Sequence, residues 1–411
     1  MISLTEARQY VLSGCEPWHQ VERPLAMCLG LVTAEAVTAR ETVPPFANTG
    51  MDGYAVRAAD VVDAPVSLEV VGTVRAGMSG LDSPVGPGQA ARIMTGAPIP
   101  PGADAVVMVE LTETSADGAT VEVRQAVVEG NHIRPAGDDV VAGDLVLAAG
   151  TVLTPGHLGL LATVGVTGLR VFKRPKVGVL STGDELVDDG SPLGPGQIRD
   201  SNRMTLLALL AESGYEPVDL GLVRDDEQSI ESALRNGVDS CDALVTSGGV
   251  SMGDFDYVKV VLDRIGDMRW MQVAIKPAKP LAFGTVWRRD RTFGVPVFGL
   301  PGNPVSSMVS FELFCRPGLR RLSGHALDDL DRPIVTAIAE EPLKRRQDGK
   351  THFARVECRF DDATDRYVVR SAGAQGSHQM MAMAAADALA ELPDGPTVET
   401  GDEVRVHLLR P

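Results

Sequence analysis

Two lysines in the segment IKPAKP, Lys276 and Lys279, stand three residues apart among prolines. Ammonium groups held in this way favour an oxyanion ligand, because each can donate a charge-assisted hydrogen bond. The preceding turn, Ser247, Gly248 and Gly249, exposes backbone N–H groups that also suit an anion. Taken alone, the Gly-Gly turn is more typical of a plain turn, and the lysine pair is more typical of a solvated surface pair. Their closeness in the chain predicts an anion site.

A second rigid turn, PGNPVS, begins at Pro301, contains Pro304 and ends at Ser306, after an apolar run. The pattern from Asn303 onward is helical, and the prolines restrict the backbone that presents Ser306. This turn is the third chemistry-bearing segment within the same part of the chain.

Carboxylates accompany these turns. Asp254 and Asp256 follow the Gly-rich turn and have the oxygen ligands that Mg²⁺ prefers. The segment STGDEL, which contains Ser181, Thr182, Gly183 and Glu185, follows a strongly apolar run. Its hydroxyls and amides suit a phosphate or a ring heteroatom, and its acids suit Mg²⁺ or an amino donor. Capping of the next element is an equally good explanation.

Other acids have a simple structural explanation. Asp225 and Asp226 open a predicted helix, where the helix dipole favours them. Asp52 lies in an irregular Pro- and Gly-rich stretch, and a turn aspartate that bonds its own backbone is the simpler interpretation. Thr95 fits a strand-end turn, and Asp139 fits a solvated acidic turn.

One motif points to a different enzyme class. The segment GVSMG matches the G-x-S-x-G nucleophile elbow, with Ser251 as the nucleophile of an α/β hydrolase. Its base would have to be His325, His352 or His378, which lie in or beyond the change to the last β module. This hypothesis leaves the lysines and the Pro-Gly-Asn-Pro turn unexplained, and we rank it second.

Composition narrows the function classes. The 411 residues carry a formal net charge of −17, which argues against nucleic acid as the main partner. The five cysteines are scattered without a C-x-x-C pair, so neither a zinc site nor a disulfide framework is indicated. No apolar run is long enough to span a membrane, and the N-terminus does not resemble a signal peptide, so we expect a cytoplasmic protein.

Strands and helices alternate from about residue 170 to 325, which predicts a doubly wound α/β domain. We expect residues 242–246, 281–286 and 295–300 to be buried parallel strands whose carboxyl ends carry the turns described above. Residues 43–139 predict a β-rich domain, and residues 326–411 a small β-barrel. Residues 1–42 and 140–169 form a small helical or linking domain, with predicted helices at 3–13, 30–40 and 154–165.

Together these motifs resemble the molybdopterin molybdenumtransferases, the MoeA family, which includes the C-terminal domain of gephyrin. The resemblance extends from residue 44 to 378. The matching segments are PPFANTGMDGYAVR, ARIMTGAPIPPGADAVV, NHIRPAGDDV, VGVLSTGDEL, VTSGGVSMGDFDYVK, IKPAKPLAFG, VFGLPGNPVSS and GAQGSH.

The resemblance implies an elongated, multidomain protomer with a MogA-like α/β domain, working as a homodimer. It implies insertion of molybdate into adenylylated molybdopterin with Mg²⁺, releasing AMP and forming molybdenum cofactor. A transient contact with the molybdopterin-adenylating enzyme is also implied. A non-catalytic scaffold that binds molybdopterin is a third possibility for the same fold.

The resemblance also assigns residues to roles. The oxyanion ligands would be Lys276, Lys279, Ser306, Arg355 and Ser377, and the metal-linked acids Asp225 and Asp256. Glu185 would lie in the pterin-nucleotide pocket with the Gly-rich loops. Asp52, Thr95 and Asp139 would complete the site from the partner subunit.

This chain departs from the family at Ala278, where the family pattern has Gly. If that position requires a positive φ, Ala there costs about 1 kcal/mol.

Overall fold

The computed structural model describes residues 1–17, 19–250, 257–290 and 293–410. The chain divides into two units, Met1–Val21 with Val171–Pro411, and Glu22–Arg170, which we call the β-rich unit. The four predicted domains stay a prediction, and the boundary between the two units falls inside the predicted domain of residues 1–42 and 140–169. Within the described ranges, no helix is long and apolar enough to cross a membrane.

The chain begins with helix α1 (Leu4–Ser13) and strand β1 (Gln20–Pro24). Ser3 caps the helix, since its Oγ accepts the Glu6 N–H at 3.1 Å. Ala7 and Val11 are buried on one face of α1, one turn apart, so the helix is amphipathic as its pattern predicts.

Short strands dominate the β-rich unit. They are β2 (Val37–Thr38), β3 (Asn48–Thr49), β4 (Gly53–Val56), β5 (Val66–Val74), β6 (Gln89–Ile93), β7 (Ala105–Met108), β8 (Thr112–Thr114), β9 (Thr120–Val123), β10 (Ile133–Arg134) and β11 (Leu145–Leu147). Helix α2 (Pro155–Thr163) and strand β12 (Gly168–Phe172) follow, and β12 pairs with β1. Six of them form one sheet in the order β7-β4-β6-β5-β9-β8. Tyr54 and Ala55 belong to different apolar clusters, because neighbouring side chains of a strand point to opposite faces.

The helix predicted at residues 30–40 is wrong. This segment contains strand β2, which pairs with β11, and its backbone bonds are made to distant segments. The Thr33 N–H donates to the Thr151 carbonyl at 3.0 Å, and the Ala39 N–H to the Asp144 carbonyl at 2.8 Å. The β-branched residues of the segment suit these tertiary pairings better than a short isolated helix. The helix at Thr154 is confirmed, with a capping box formed by Thr154 and His157.

The α/β region contains β13 (Lys176–Thr182), β14 (Leu186–Val187), β15 (Ile198–Arg199), α3 (Ser201–Glu212), β16 (Glu216–Val223), α4 (Glu227–Ser240), β17 (Ala243–Ser247), α5 (Tyr257–Ile265), β18 (Gly266–Gln272), β19 (Ile275–Lys276), β20 (Pro280–Trp287), β21 (Gly294–Leu300), α6 (Pro304–Ser310), a π-helical turn (Phe311–Cys315) and α7 (Arg316–Leu322). Its sheet has the order β16-β13-β17-β21-β20-β18. Leu206 of α3 packs on one face of this sheet and Ile230 of α4 on the other, which confirms the doubly wound arrangement.

One strand direction differs from the prediction. Strands β16, β13, β17 and β21 are parallel, but β20 runs antiparallel to both β21 and β18. Short connections join β18 to β20 and β20 to β21, and antiparallel neighbours need no long crossover. Because β20 is reversed, the segment that precedes it, residues 276–279, lies at the carboxyl-end edge of the parallel strands.

The C-terminal region forms a closed five-stranded barrel. Its elements are β22 (Ile334–Ala339), β23 (Thr351–Asp361), β24 (Arg366–Ser371), α8 (Met380–Ala385), β25 (Ala388–Leu392) and β26 (Glu403–Leu408). The order β23-β24-β22-β26-β25 closes because β25 also pairs with β23. Strand β19 pairs with the outer part of β23, with Lys276 opposite His352. The segment of Lys276 is therefore joined to the barrel.

Candidate functional site

Three loops meet at one edge of the α/β sheet. Gly248 follows β17, and its N–H donates to the Leu300 carbonyl at 3.1 Å, next to the turn that begins at Pro301. Gly248 has a φ of 89°, and a Cβ there would lie 3.2 Å from the Thr182 carbonyl oxygen. The loops that contain Thr182, Gly248 and Pro301 are thus adjacent, as their predicted positions after strands required.

Asn202 connects two of these loops. This residue lies in the first turn of α3, and its Nδ2 donates to Ser247 Oγ at 2.8 Å and to the Gly302 carbonyl at 2.7 Å. Sequence reasoning missed Asn202, because its partners are distant in the chain. The available signal was a polar side chain in the first turn of a helix that follows a strand and loop.

The hydroxyl of Ser181 forms a hydrogen bond within the protein. Ser181 is fully buried, and its Oγ donates to Asp200 Oδ1 at 3.2 Å. Asp200 caps α3 and accepts from the Arg203 Nε at 3.0 Å. Ser181 therefore supports the start of α3, which agrees with the capping alternative, and Thr182 is also buried.

Three acids lie at the ends of the neighbouring strands β13 and β16. The Asp184 Oδ1 accepts the Asp225 N–H at 3.3 Å. A Cβ at Gly183 would lie 2.6 Å from the carboxylate of Glu185, which is exposed. Glu185 and Asp225 thus belong to one group of loops.

Mg²⁺ takes one or two protein carboxylates together with water and substrate phosphates. The oxygen donors of Asp225 and Asp184 fit such an ion. No cluster of three His, Cys, Asp or Glu that could hold a metal occurs in the part of the chain that the structure describes. The predicted metal ligand Asp256 and the predicted pocket residue Ser251 lie outside the described residues.

A cavity of about 230 Å³ lies where Lys276 meets the barrel. Its basic lining residues are Lys276, Lys344, Arg345, Arg346 and Arg355, with His352 beside them. Among the residues that the structure describes, carboxylates lie within 4.0 Å of the Arg345 guanidinium, and none lies within that distance of the other four cationic groups. Positive charge without a carboxylate partner is unusual in a chain with a net charge of −17, and it favours an anionic ligand.

Arg355 is almost completely buried, with 1% of its surface exposed. Its Nη2 donates to the Ala374 carbonyl at 3.0 Å and to the Gly376 carbonyl at 3.1 Å, while its buried Nε has no hydrogen-bond partner. Burial lowers the pKa of this guanidinium to about 10, so it is still charged at neutral pH. A buried cation with an unsatisfied donor is suited to bind an oxyanion.

The remaining oxyanion candidates are partly brought together. Val305 donates its N–H to the Ser377 carbonyl at 3.1 Å, which joins the loop of Ser377 to the helix turn of buried Ser306. Lys279 is exposed and does not line the cavity with Lys276. Pro277 and Ala278 between the lysines are buried, and Ala278 has a φ of 76°, so the position does require a positive φ.

Asp52 and Thr95 form a pair within the β-rich unit. Asp52 Oδ1 accepts the Thr95 N–H at 2.7 Å and the Thr95 Oγ1 at 2.8 Å, and these bonds lower the pKa of Asp52. The carboxylate thus bonds a distant loop and not its own turn. Asp139 is exposed, its N–H donates to the Val43 carbonyl at 3.0 Å, and no described hydrogen bond links it to this pair.

Two of the three candidate bases of the hydrolase hypothesis, His325 and His352, already contact other groups. His325 Nδ1 lies 3.0 Å from the Arg320 carbonyl, and burial lowers its pKa. His352 Nε2 lies 3.0 Å from Asp348 Oδ1, and burial is again the main cause of its lowered pKa. His378 is exposed. These contacts do not favour a histidine base for Ser251.

Three family models match the chain in succession. Residues 2–165 match the MoeA N-terminal region (domain I and II), residues 178–321 match a probable molybdopterin binding domain, and residues 336–409 match the MoeA C-terminal region (domain IV).

Curated relatives match over 92% or more of the chain. A molybdopterin molybdenumtransferase of Haemophilus influenzae is 38% identical over 415 residues, covering 100% of both chains. One from Bacillus subtilis is 34% identical over 385 residues, covering 92% of this chain and 87% of the relative. The crystal structure of a molybdopterin biosynthesis MoeA protein from Pyrococcus horikoshii superimposes with a TM-score of 0.81 at 31% identity, covering 100% of both chains.

Proposed function

The chain belongs to the molybdopterin molybdenumtransferase family, and we propose that it inserts molybdate into adenylylated molybdopterin, releasing AMP and forming molybdenum cofactor. The observation that carries this proposal is the cavity where Lys276 and buried Arg355 present positive charge without a carboxylate partner among the described residues. A molybdate dianion supplies the negative charge that balances these cationic side chains.

In the proposed reaction, the dithiolene sulfurs displace an oxo ligand of molybdate, which leaves as water with the thiol protons. The phosphoanhydride bond to the adenylyl group is hydrolysed, which provides the driving force. Lys276 and Arg355 hold the dianion in the cavity, and Lys279, whose side chain lies outside the cavity lining, is proposed to turn toward it. The hydroxyls of Ser306 and Ser377 are proposed to complete its shell. Arg355 is held by its burial and by its bonds to the Ala374 and Gly376 carbonyls before the substrate arrives, so it can stabilise charge without reorganisation.

The pterin nucleotide is proposed to occupy the edge of the α/β sheet. The lining would come from the loops of Ser181, Thr182 and Gly183, of Ser247, Gly248 and Gly249, and of Pro301 and Pro304, with Ser251 and Glu185. The adjacency of Gly248 to the Thr182 and Leu300 carbonyls supports this proposal, because it brings the three loops together at one edge of the sheet. Asp225 and Asp256 would hold Mg²⁺, which neutralises phosphate charge when bound.

The dimeric state also belongs to the proposal. We propose a homodimer in which Asp52, Thr95 and Asp139 of one subunit complete the site of the other. The exposed Asp52 carboxylate, ionised by its bonds from Thr95, supports a role beyond its own unit. Mixing two inactive variants, Asp52→Asn and Lys276→Ala, should restore activity in trans. Mixtures as inactive as their components, despite proven subunit exchange, would contradict the shared site.

A cytoplasmic location and a transient contact with the molybdopterin-adenylating enzyme fit the same proposal, because that enzyme's product is the substrate here.

The testing experiment combines purified protein, adenylylated molybdopterin, Mg²⁺ and molybdate. AMP release that requires molybdate, together with reconstitution of a cofactor-free molybdoenzyme, is the expected result. Binding of the nucleotide without AMP release would show a scaffold. Omission of Mg²⁺ with added chelator tests the metal requirement, and full activity under that condition would remove the metal from the proposal.

A further inference from the structure

Two basic residues that line the cavity are not among the proposed ligands of the oxyanion. Lys344 and Arg346 line the cavity with Lys276 and Arg355, and both are exposed. We call Lys344 and Arg346 the basic rim. A molybdate dianion approaching a chain of net charge −17 is repelled at long range, so capture depends on a local field of opposite sign.

Arg345, between the two rim residues, holds their backbone in place. Its side chain is fully buried, and its Nη1 donates to the Leu392 carbonyl at 3.1 Å. Its Nη2 donates to the Arg346 carbonyl at 2.7 Å and forms an ion pair with Asp394. The rim therefore has a fixed position on the barrel, although its charged ends reach solvent.

The nearby carboxylates already have other partners. Asp348 pairs with His352 at 3.0 Å and with Lys350 at 3.3 Å, and its N–H donates to Asp394 Oδ1 at 3.3 Å. Asp394 pairs with Arg345. Across the described ranges of the chain, no carboxylate lies within 4.0 Å of the Lys344 or Arg346 side-chain nitrogens. The rim charges are therefore not neutralised by ion pairs.

We propose that Lys344 and Arg346 attract the dianionic oxyanion into the cavity and set the rate of its capture, without being its final ligands. This inference rests on the proposed function for the identity of the anion, and it assigns the rim a kinetic role. Long-range attraction acts over a Debye length of about 10 Å at 0.1 M salt, so rim side chains can act without touching the bound ion. Charged rims of this kind change association rates about 10-fold or more.

The test uses the double variant Lys344→Gln with Arg346→Gln. Its matched control is Arg174→Gln with Arg366→Gln, which removes two exposed charges from the same unit and changes the net charge equally. For each protein, kcat and kcat/KM for molybdate are measured at ionic strengths from about 0.02 to 0.5 M, where screening becomes strong. Tungstate binding is measured in parallel by titration calorimetry, so that one readout does not require turnover.

The expected result is a loss of about 3- to 10-fold in kcat/KM for the rim variant at low salt, larger than its loss in kcat. The difference from wild type should shrink as salt rises, while the control keeps the wild-type salt dependence. Equal salt dependence in rim variant and control, in both kcat/KM and tungstate affinity, would overturn the proposal. If wild-type protein releases no AMP, the proposed function fails, and the tungstate titration alone decides whether the rim attracts an oxyanion.

Discussion

Val305 donates its backbone N–H to the carbonyl of Ser377 at 3.1 Å, so the first turn of α6 and a loop of the C-terminal barrel are directly bonded. The adjacent residue Gly376 accepts from Arg355 at 3.1 Å. The oxyanion candidates from the α/β region and from the barrel are therefore linked by backbone contacts. A substitution at Arg355 should therefore remove a candidate oxyanion ligand and also disturb the loop that contains Gly376 and Ser377.

This linkage separates two kinds of variant. Lys276→Ala removes an exposed charge, so we expect loss of molybdate-dependent AMP release with a change in unfolding free energy below about 0.5 kcal/mol. Arg355→Ala removes a buried side chain and leaves the partly buried carbonyls of Ala374 and Gly376 without this donor, so we expect the same loss of activity plus destabilisation of about 2–4 kcal/mol. Urea denaturation and the AMP assay measure the two effects. Equal stability of the two variants would contradict a structural role of Arg355.

Asn202→Asp should weaken binding of the pterin nucleotide. The substitution keeps the shape of the side chain but replaces the amide donor by an acceptor, which faces the Gly302 carbonyl and Ser247 Oγ. The bond to the Gly302 carbonyl is lost and two acceptors then face each other, which costs about 1–3 kcal/mol, so we expect the KM for adenylylated molybdopterin to rise about 10-fold. The control is Asn236→Asp, which makes the same charge change at an exposed position on α4. An unchanged KM would show that Asn202 does not position these loops.

Thr95→Val should raise the pKa of Asp52. The carboxylate has a pKa below its ordinary 3.8 because the Thr95 N–H and hydroxyl both donate to it, and the variant removes only the hydroxyl. The raised pKa therefore stays below 3.8. Since folding lowers this pKa, the stabilisation is complete above pH 3.8 and disappears as the pH falls through the folded-state value.

Carbon-detected NMR titration of Asp52 measures this shift. Thr163→Val, at an exposed position on α2, is the control and should leave the pKa of Asp52 unchanged. An identical Asp52 titration in Thr95→Val and wild type would contradict the hydrogen-bond explanation.

Local patterns predicted the parts of the site that depend on local chemistry. The turns at Gly248 and Pro301 follow buried strands as expected, and the cap at Thr154 is present, because turn and cap residues act within a few positions of themselves. The helix predicted at residues 30–40 was wrong, because distant partner segments decide its backbone pairing. The predicted parallel direction of β20 was wrong because its connections to β18 and β21 are too short for a crossover.

Local sequence patterns could not predict the contacts of Asn202 and Arg355. The two partners of Asn202 lie 45 and 100 residues away, so no local window contains them. The burial of Arg355 follows from closure of the barrel, in which its strand pairs on both sides. The sequence resemblance pointed to Arg355 as a ligand, whereas its structural contacts became visible only in the fold.

Ala278→Gly should stabilise the protein. Ala278 has a φ of 76° between Lys276 and Lys279, a conformation that costs an L-residue about 1–2 kcal/mol and Gly almost nothing. The greater flexibility of Gly in the unfolded chain offsets about 0.4–1 kcal/mol of this gain, so we expect a net increase in unfolding free energy of about 0.5–1 kcal/mol. Urea denaturation measures it, and the control Ala274→Gly, at a position without a positive φ, should be destabilised instead. A loss of stability in Ala278→Gly would show that contacts of the buried methyl group outweigh the backbone strain.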